Sequence, residues 1–99
     1  MGMHDRNYWV YILSNPRRTT YYVGATGNLQ GRINQHRSAH RGGFTARYGC
    51  THLLYVEKFT DVRDALEREK QIKRYRREKK LSLIRSTNPG LLDMTDLVG

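Results

Sequence analysis

Glu69 is an acid set among apolar neighbours. If residues 62–79 form a helix at about 100° per residue, with Ala65 at 0°, Val62 falls near about 60°, Leu66 about 100° and Ile72 about −20°. Glu69 then lies at about 40°, in the middle of that apolar arc. Arg63, Lys70, Arg74 and Arg77 take the opposite, solvated face. An unpaired buried carboxylate costs several kcal/mol on an order-of-magnitude scale, so Glu69 needs a cation. A metal ion, an arginine or the counter-ion of a substrate would each serve. The plainer alternative is a structural salt bridge at the edge of the core.

Three other positions raise similar questions. Arg32 and His36 are four residues apart on an expected helix and share a face beside Leu29 and Ile33. Arginine offers a planar, permanently charged fork for a phosphate, and histidine can donate to a phosphate oxygen or move a proton. An ordinary amphipathic helix edge would look the same. Tyr11 and Tyr22 sit in β-rich runs, where tyrosine commonly packs, yet their hydroxyls need partners if buried.

Positive charge is concentrated. Residues 68–80 hold eight Lys or Arg among thirteen, against two acids. A solvated helix face normally mixes signs, so this run, together with Arg37, Arg41 and Arg47, points to a groove for a phosphate backbone. Lys73, Arg76, Arg77, Lys79 and Arg37 are the expected phosphate contacts, and Tyr75 could stack on a base. His36, His40, Cys50 and His52 form a conceivable zinc set, but Cys-x-His is not usual zinc-knuckle spacing. No dinucleotide fingerprint, Walker loop or Ser/His/Asp arrangement is present.

The elements that must position these residues follow from the apolar pattern. Ninety-nine residues make one domain, and 18 Lys+Arg against 9 Asp+Glu give a net charge of +9. The longest apolar run, Tyr8–Leu13, is too short to span a bilayer, no signal peptide opens the chain, and the single Cys50 fits a reducing compartment. These features indicate a cytoplasmic protein with a polyanionic partner. Tyr8–Leu13 and Thr19–Val23 read as an antiparallel hairpin and Leu53–Phe59 as a third strand. Thr26 or Asn28 caps a helix running to about His40, and residues 41–50 read as a loop. Thr60 or Asp61 caps a long helix over about Val62–Lys79, and Leu81, Leu83 and Ile84 form a further turn or short helix. Asn88-Pro89-Gly90 is a break before a weakly apolar tail.

The ordered set resembles the GIY-YIG nuclease superfamily, in particular its small single-domain members. Trp9-Val10-Tyr11 corresponds to the first signature tripeptide and Tyr22-Val23-Gly24 to the second. Arg32 stands ten residues after Tyr22, His36 follows four later, and Asp64-Ala65-Leu66-x-x-Glu69 is similar to the family's helix carrying its metal-binding Glu. Asn88 is a candidate for the family's carboxy-terminal Asn. The departures are Trp9 for the first Gly, and Val10 and Val23 for the two Ile, all backbone or packing positions.

The resemblance implies an α+β fold, a three-stranded antiparallel sheet flanked by helices, over residues 8–88, between a flexible 1–7 and a tail at 89–99. It implies phosphodiester hydrolysis with one divalent ion, Mg²⁺ or Mn²⁺. Glu69 would hold the metal, Arg32 would stabilise transition-state charge, and Tyr11 or Tyr22 would position or deprotonate the water. His36 would orient the tyrosine or the phosphate. The expected function is a metal-dependent DNA endonuclease, in repair or in processing structured DNA. It would act as a monomer, off the membrane, with an additional protein partner conceivable. The alternative is a nucleic-acid-binding module that keeps the fold without cleaving.

Overall fold

The computed structural model describes residues 7–37 and 49–98, without the side chains of His36, Arg37 and Val98. The expected course of the first helix to His40, and the loop with Arg41 and Arg47, lie outside the described residues beyond position 37. Three strands, β1 (Tyr8–Ser14), β2 (Tyr21–Thr26) and β3 (His52–Phe59), form one antiparallel sheet in the order β2-β1-β3. β1 is central and buries side chains against helices on both faces of the sheet, which is why it is apolar without alternation.

The two faces bury different clusters. Val10, Ile12, Val23, Leu54 and Tyr55 pack with Ala65, Ile72 and Ile84. Tyr11, Leu13 and Leu53 pack with Leu29, Ile33 and Cys50 on the other side. A bulge in β3 makes this possible: Ile12 pairs with Tyr55 but Leu13 with Leu53, so Leu54 is the extra residue. Two consecutive side chains, Leu54 and Tyr55, thereby enter the same cluster. The β1–β2 connection is organised by Asn15, whose Oδ1 accepts from the N–H groups of Thr19 (2.8 Å) and Thr20 (3.0 Å).

Helix α1 (Leu29–Arg37) starts at Asn28, whose Oδ1 accepts from Gly31 N at 3.1 Å. Thr26 serves one step earlier, its hydroxyl accepting from Asn28 N at 3.0 Å. Helix α2 (Val62–Lys73) is capped by Asp61, which accepts from Arg63 N at 2.8 Å.

The second helix is shorter than its pattern predicts. It ends at Lys73, and a separate helix, α3 (Arg77–Thr87), follows. The N–H groups of Arg74 and Tyr75 bond back three residues, to Gln71 and Ile72, tightening the last turn, and Arg76 is extended. The reason is geometric. Ile84 lies twelve residues after Ile72, about 120° around a continuous helix. The break lets both enter one cluster.

The last described residues are tied to β3. Asn88 Nδ2 donates to Leu54 O (3.1 Å) and Leu92 O (2.8 Å), and its Oδ1 accepts from Leu92 N at 3.0 Å. Met94 N donates to Leu53 O at 2.7 Å, and Asp93 Oδ1 accepts from Leu53 N at 3.0 Å, ahead of the short α4 (Thr95–Val98). Among the described residues no helix is long and apolar enough to cross a membrane.

Candidate active site

Tyr11 on β1 faces Gly24 on the edge strand β2 in direct register. A Cβ at Gly24 would fall 2.5 Å from the Tyr11 hydroxyl oxygen and 2.6 Å from Cζ. Glycine is therefore what allows the Tyr11 ring to lie across β2. Tyr22, two residues before Gly24, projects to the same face. Its ring centroid is 6.3 Å from that of Tyr11, with the planes tilted at 43°.

The Tyr11 hydroxyl is the electrostatic meeting point. Burial raises its pKa well above that of an ordinary phenol, and Tyr22 adds to this through charge and a hydrogen bond. Arg32 pulls the other way, while Glu69 again disfavours ionisation. Ionisation of Tyr11 is therefore disfavoured on balance. Tyr11, Tyr22, Arg32 and Glu69, which span β1, β2, α1 and α2, act on one hydroxyl. Arg32 is exposed and reaches a cavity of about 270 Å³, shared with Tyr8, Ala25, Gly27, Val62 and Leu66.

Glu69 differs from its predicted setting. Ala65 and Ile72 are buried, but Val62 and Leu66 are 43% and 45% exposed. The buried stripe of α2 is therefore narrower than the apolar arc, because β2 is an edge strand with no further strand beyond it. Glu69 stands at the border of the stripe, its side chain 18% exposed, and its Oε2 is 3.1 Å from Lys73 Nζ. Lys73, expected as a phosphate contact, neutralises this carboxylate. No cluster of three or more His, Cys, Asp or Glu able to cage a metal occurs among the described residues. A single carboxylate suits Mg²⁺, which keeps several waters and takes remaining ligands from substrate phosphates. Glu69 thus fits such an ion and does not fit a protein-enclosed site.

The remaining candidates divide. His36 and Arg37 occupy the end of α1, but their side chains, like His40, lie outside the described residues. All the side-chain hydrogen bonds that Asn88 makes go to backbone groups, so its evident work is structural. Arg77 Nη2 donates to Thr19 O, and its guanidinium lies 5.4 Å over the Tyr21 ring. It pins α3 to the hairpin. Lys79 lies 4.3 Å over the Tyr75 ring, covering a face that would otherwise stack on a base. Arg76 is exposed. Of the zinc set, Cys50 is fully buried, with burial raising its thiol pKa, and its Sγ is 3.8 Å from Thr20 O. His52 Nδ1 accepts from Arg18 at 2.9 Å.

One network escaped the sequence reading. Arg68 grips Glu57 with two nitrogens, Nε to Oε1 at 2.9 Å and Nη2 to Oε2 at 2.8 Å. Arg68 Nη1 also donates to Gln71 (2.6 Å) and Tyr75 (3.2 Å), and Tyr55 donates to Glu57. Burial and the bond to Glu57 push Tyr55 up to about 12. Burial opposes the charge on Glu57, but hydrogen bonds from Arg68 and Tyr55 outweigh it and hold its pKa down. The available signal was strand period: Tyr55, Glu57 and Phe59 share a face of β3, which sets an acid against the core.

Comparison with known proteins places the fold and the family. The GIY-YIG catalytic domain matches residues 7–82. A UPF0213 protein of Oceanobacillus iheyensis is 36% identical over 80 residues, covering 81% of this chain and 92% of its own. One from Clostridium perfringens is 38% identical over 78 residues, covering 79% and 83% respectively. The solution NMR structure of a UPF0213 protein from Bacillus halodurans matches with a TM-score of 0.58 at 27% identity, over 92% of this chain and 96% of that one. The tyrosine pair across Gly24, with Arg32 and Glu69 beside it, lies within the matched span, and the chain belongs to the GIY-YIG nuclease family.

Proposed function

We propose that this protein is a divalent-metal-dependent DNA endonuclease. It hydrolyses phosphodiester bonds in repair or in processing structured DNA, acting as a monomer in the cytoplasm. What supports this reading is the Tyr11–Tyr22 pair across Gly24, with Arg32 and Glu69, from two further elements, both bearing electrostatically on the Tyr11 hydroxyl. A pure binding module has no need to bring an acid and an arginine to a tyrosine pair.

Each side chain then has a task. Glu69 is the carboxylate that would hold Mg²⁺ or Mn²⁺, and its present partner Lys73 would then be a cation within reach of a phosphate. The bound ion supplies Lewis-acid stabilisation of phosphate charge. Arg32, exposed at the cavity wall, clamps a phosphate oxygen and offsets the charge that grows on it. Burial disfavours ionisation of Tyr11, whose ring sits beside that of Tyr22. One of the two, Tyr11 or Tyr22, orients the attacking water. His36, one turn beyond Arg32 on α1, orients the tyrosine or the phosphate.

The test is a panel of single-stranded, duplex, nicked and branched DNA, with matching RNA, incubated with and without Mg²⁺. Cleavage of DNA that requires the ion and is lost in Glu69→Gln supports the reading. Tight binding without cleavage of any substrate, with either ion, would instead identify a non-catalytic binding module.

A further inference from the structure

We propose that the cavity beside Arg32 is a subsite for one unstacked nucleobase of a DNA strand, the base flanking the phosphate that Arg32 holds. This rests on the endonuclease function proposed above and adds to it what the site recognises besides phosphate.

The first observation is the open apolar wall. Val62 and Leu66, one turn apart on α2, are two of four large apolar side chains that stand exposed among the described residues. The other two, Leu92 and Leu97, lie near the carboxy terminus, away from this wall in sequence. Val62 and Leu66 line the same cavity as Ala25, Gly27 and the ring of Tyr8. A side chain on the apolar arc of an amphipathic helix is usually covered, and here none of the described residues covers it.

Size narrows the occupant. The cavity holds about 270 Å³, just under the roughly 300–1,000 Å³ of pockets that enclose drug-sized ligands. That is room for one planar ring system and not for a base pair. Charge narrows it further. Arg32 lies on the wall, so an occupant should carry an anion next to its apolar part, and the chain's net charge of +9 favours a polyanion. In a nucleotide strand each base is one sugar away from a phosphate. A base meeting Tyr8, Val62 and Leu66 by its faces, with its phosphate on Arg32, satisfies both demands. The base must leave its stack to do so, which costs least where the strand is unpaired or distorted.

The experiment compares two probes of equal charge without added divalent cation. One is a fluorescent dodecathymidylate; the other is a twelve-unit abasic strand with the same phosphates and no bases. Anisotropy titrations at fixed ionic strength use the full-length protein and its Leu66→Ser and Val62→Ser variants, each checked for an unchanged thermal transition. Wild type should bind the abasic strand about 10-fold more weakly. Leu66→Ser should lose about the same factor on the thymidylate and almost nothing on the abasic strand. Leu66→Phe, which keeps an apolar face, should retain thymidylate affinity. Equal binding of the two probes by wild type overturns the subsite. So does a base preference that both serine variants leave intact, because the bases would then be bound elsewhere. Failure of wild type to bind either probe also overturns the subsite, whereas the nuclease reading fails separately, by absence of Mg²⁺-dependent cleavage across the substrate panel.

Discussion

The Tyr11 ring lies across Gly24, so close that a single added methyl on the glycine would meet the phenol oxygen at 2.5 Å. Two signature positions on neighbouring strands are thus one steric unit. Gly24→Ala should destabilise the protein by about 1–3 kcal/mol, the usual scale for overpacking, and should displace the Tyr11 hydroxyl from Tyr22. Urea unfolding of Gly24→Ala, Tyr11→Ala and the double variant checks this. The double variant should be more stable than the two single losses sum to, because removing the ring leaves space for the new methyl.

Legibility from sequence followed local physics. Tyr11, Tyr22, Arg32 and Glu69 stand out by residue type and local spacing, set by neighbours a few residues away, while Gly24 joins them only through the family resemblance. The long helix could not be bounded, because its break serves Ile72 and Ile84, which reach one cluster only after tertiary packing. The exposure of Val62 and Leu66 was hidden for a related reason. A helical wheel gives angles, and whether a strand exists to cover an angle depends on sheet order. Arg77 reads as one more phosphate contact, but its partners are Thr19 and Tyr21, far away in the chain.

Asn88 should behave as a structural residue. Asn88→Ala removes three hydrogen bonds to the backbone of Leu54 and Leu92 and leaves buried groups without partners. A loss of about 1–3 kcal/mol is expected. Activity per folded molecule, measured well below the lowered melting temperature, should be unchanged. Cleavage falling more than the folded fraction would instead tie Asn88 to the chemistry.

The Glu57–Arg68 pair sets a pH dependence. Both side chains are mostly buried, 22% and 24% exposed, and the pKa of Glu57 is held down in the folded protein. Its stabilising contribution is therefore complete at neutral pH, above the unfolded carboxylate value of about 4.3. It fades as pH falls through the lower folded value. The stability difference between wild type and Glu57→Gln should be largest near neutrality and shrink in acid. Denaturant titrations at several pH values measure it, and a difference independent of pH would contradict the pairing.

Salt should weaken DNA binding steeply, with each phosphate contact contributing roughly 0.7–0.9 to the log–log slope. Reversing the charge of Arg76, which is exposed, should reduce affinity for all sequences alike and flatten that slope. Arg77→Ala should act differently. It should cost stability through the lost bond to Thr19 and the lost contact with Tyr21. Thermal melts beside binding isotherms separate the two effects.

The central claim is that Glu69 and Arg32 act on a phosphodiester together with the tyrosine pair. The most direct measurement is single-turnover cleavage of a labelled DNA substrate by Glu69→Gln and Arg32→Ala in Mg²⁺, beside binding isotherms and melting curves for each. Both variants should fold and still bind DNA, and cleavage should fall by about 10²-fold or more in each. Glu69→Gln should also weaken Mg²⁺ binding, and Arg32→Ala should not. A Glu69→Gln protein that melts earlier yet cleaves in proportion to its folded fraction would contradict the claim, leaving Glu69 as no more than the ion-pair partner of Lys73.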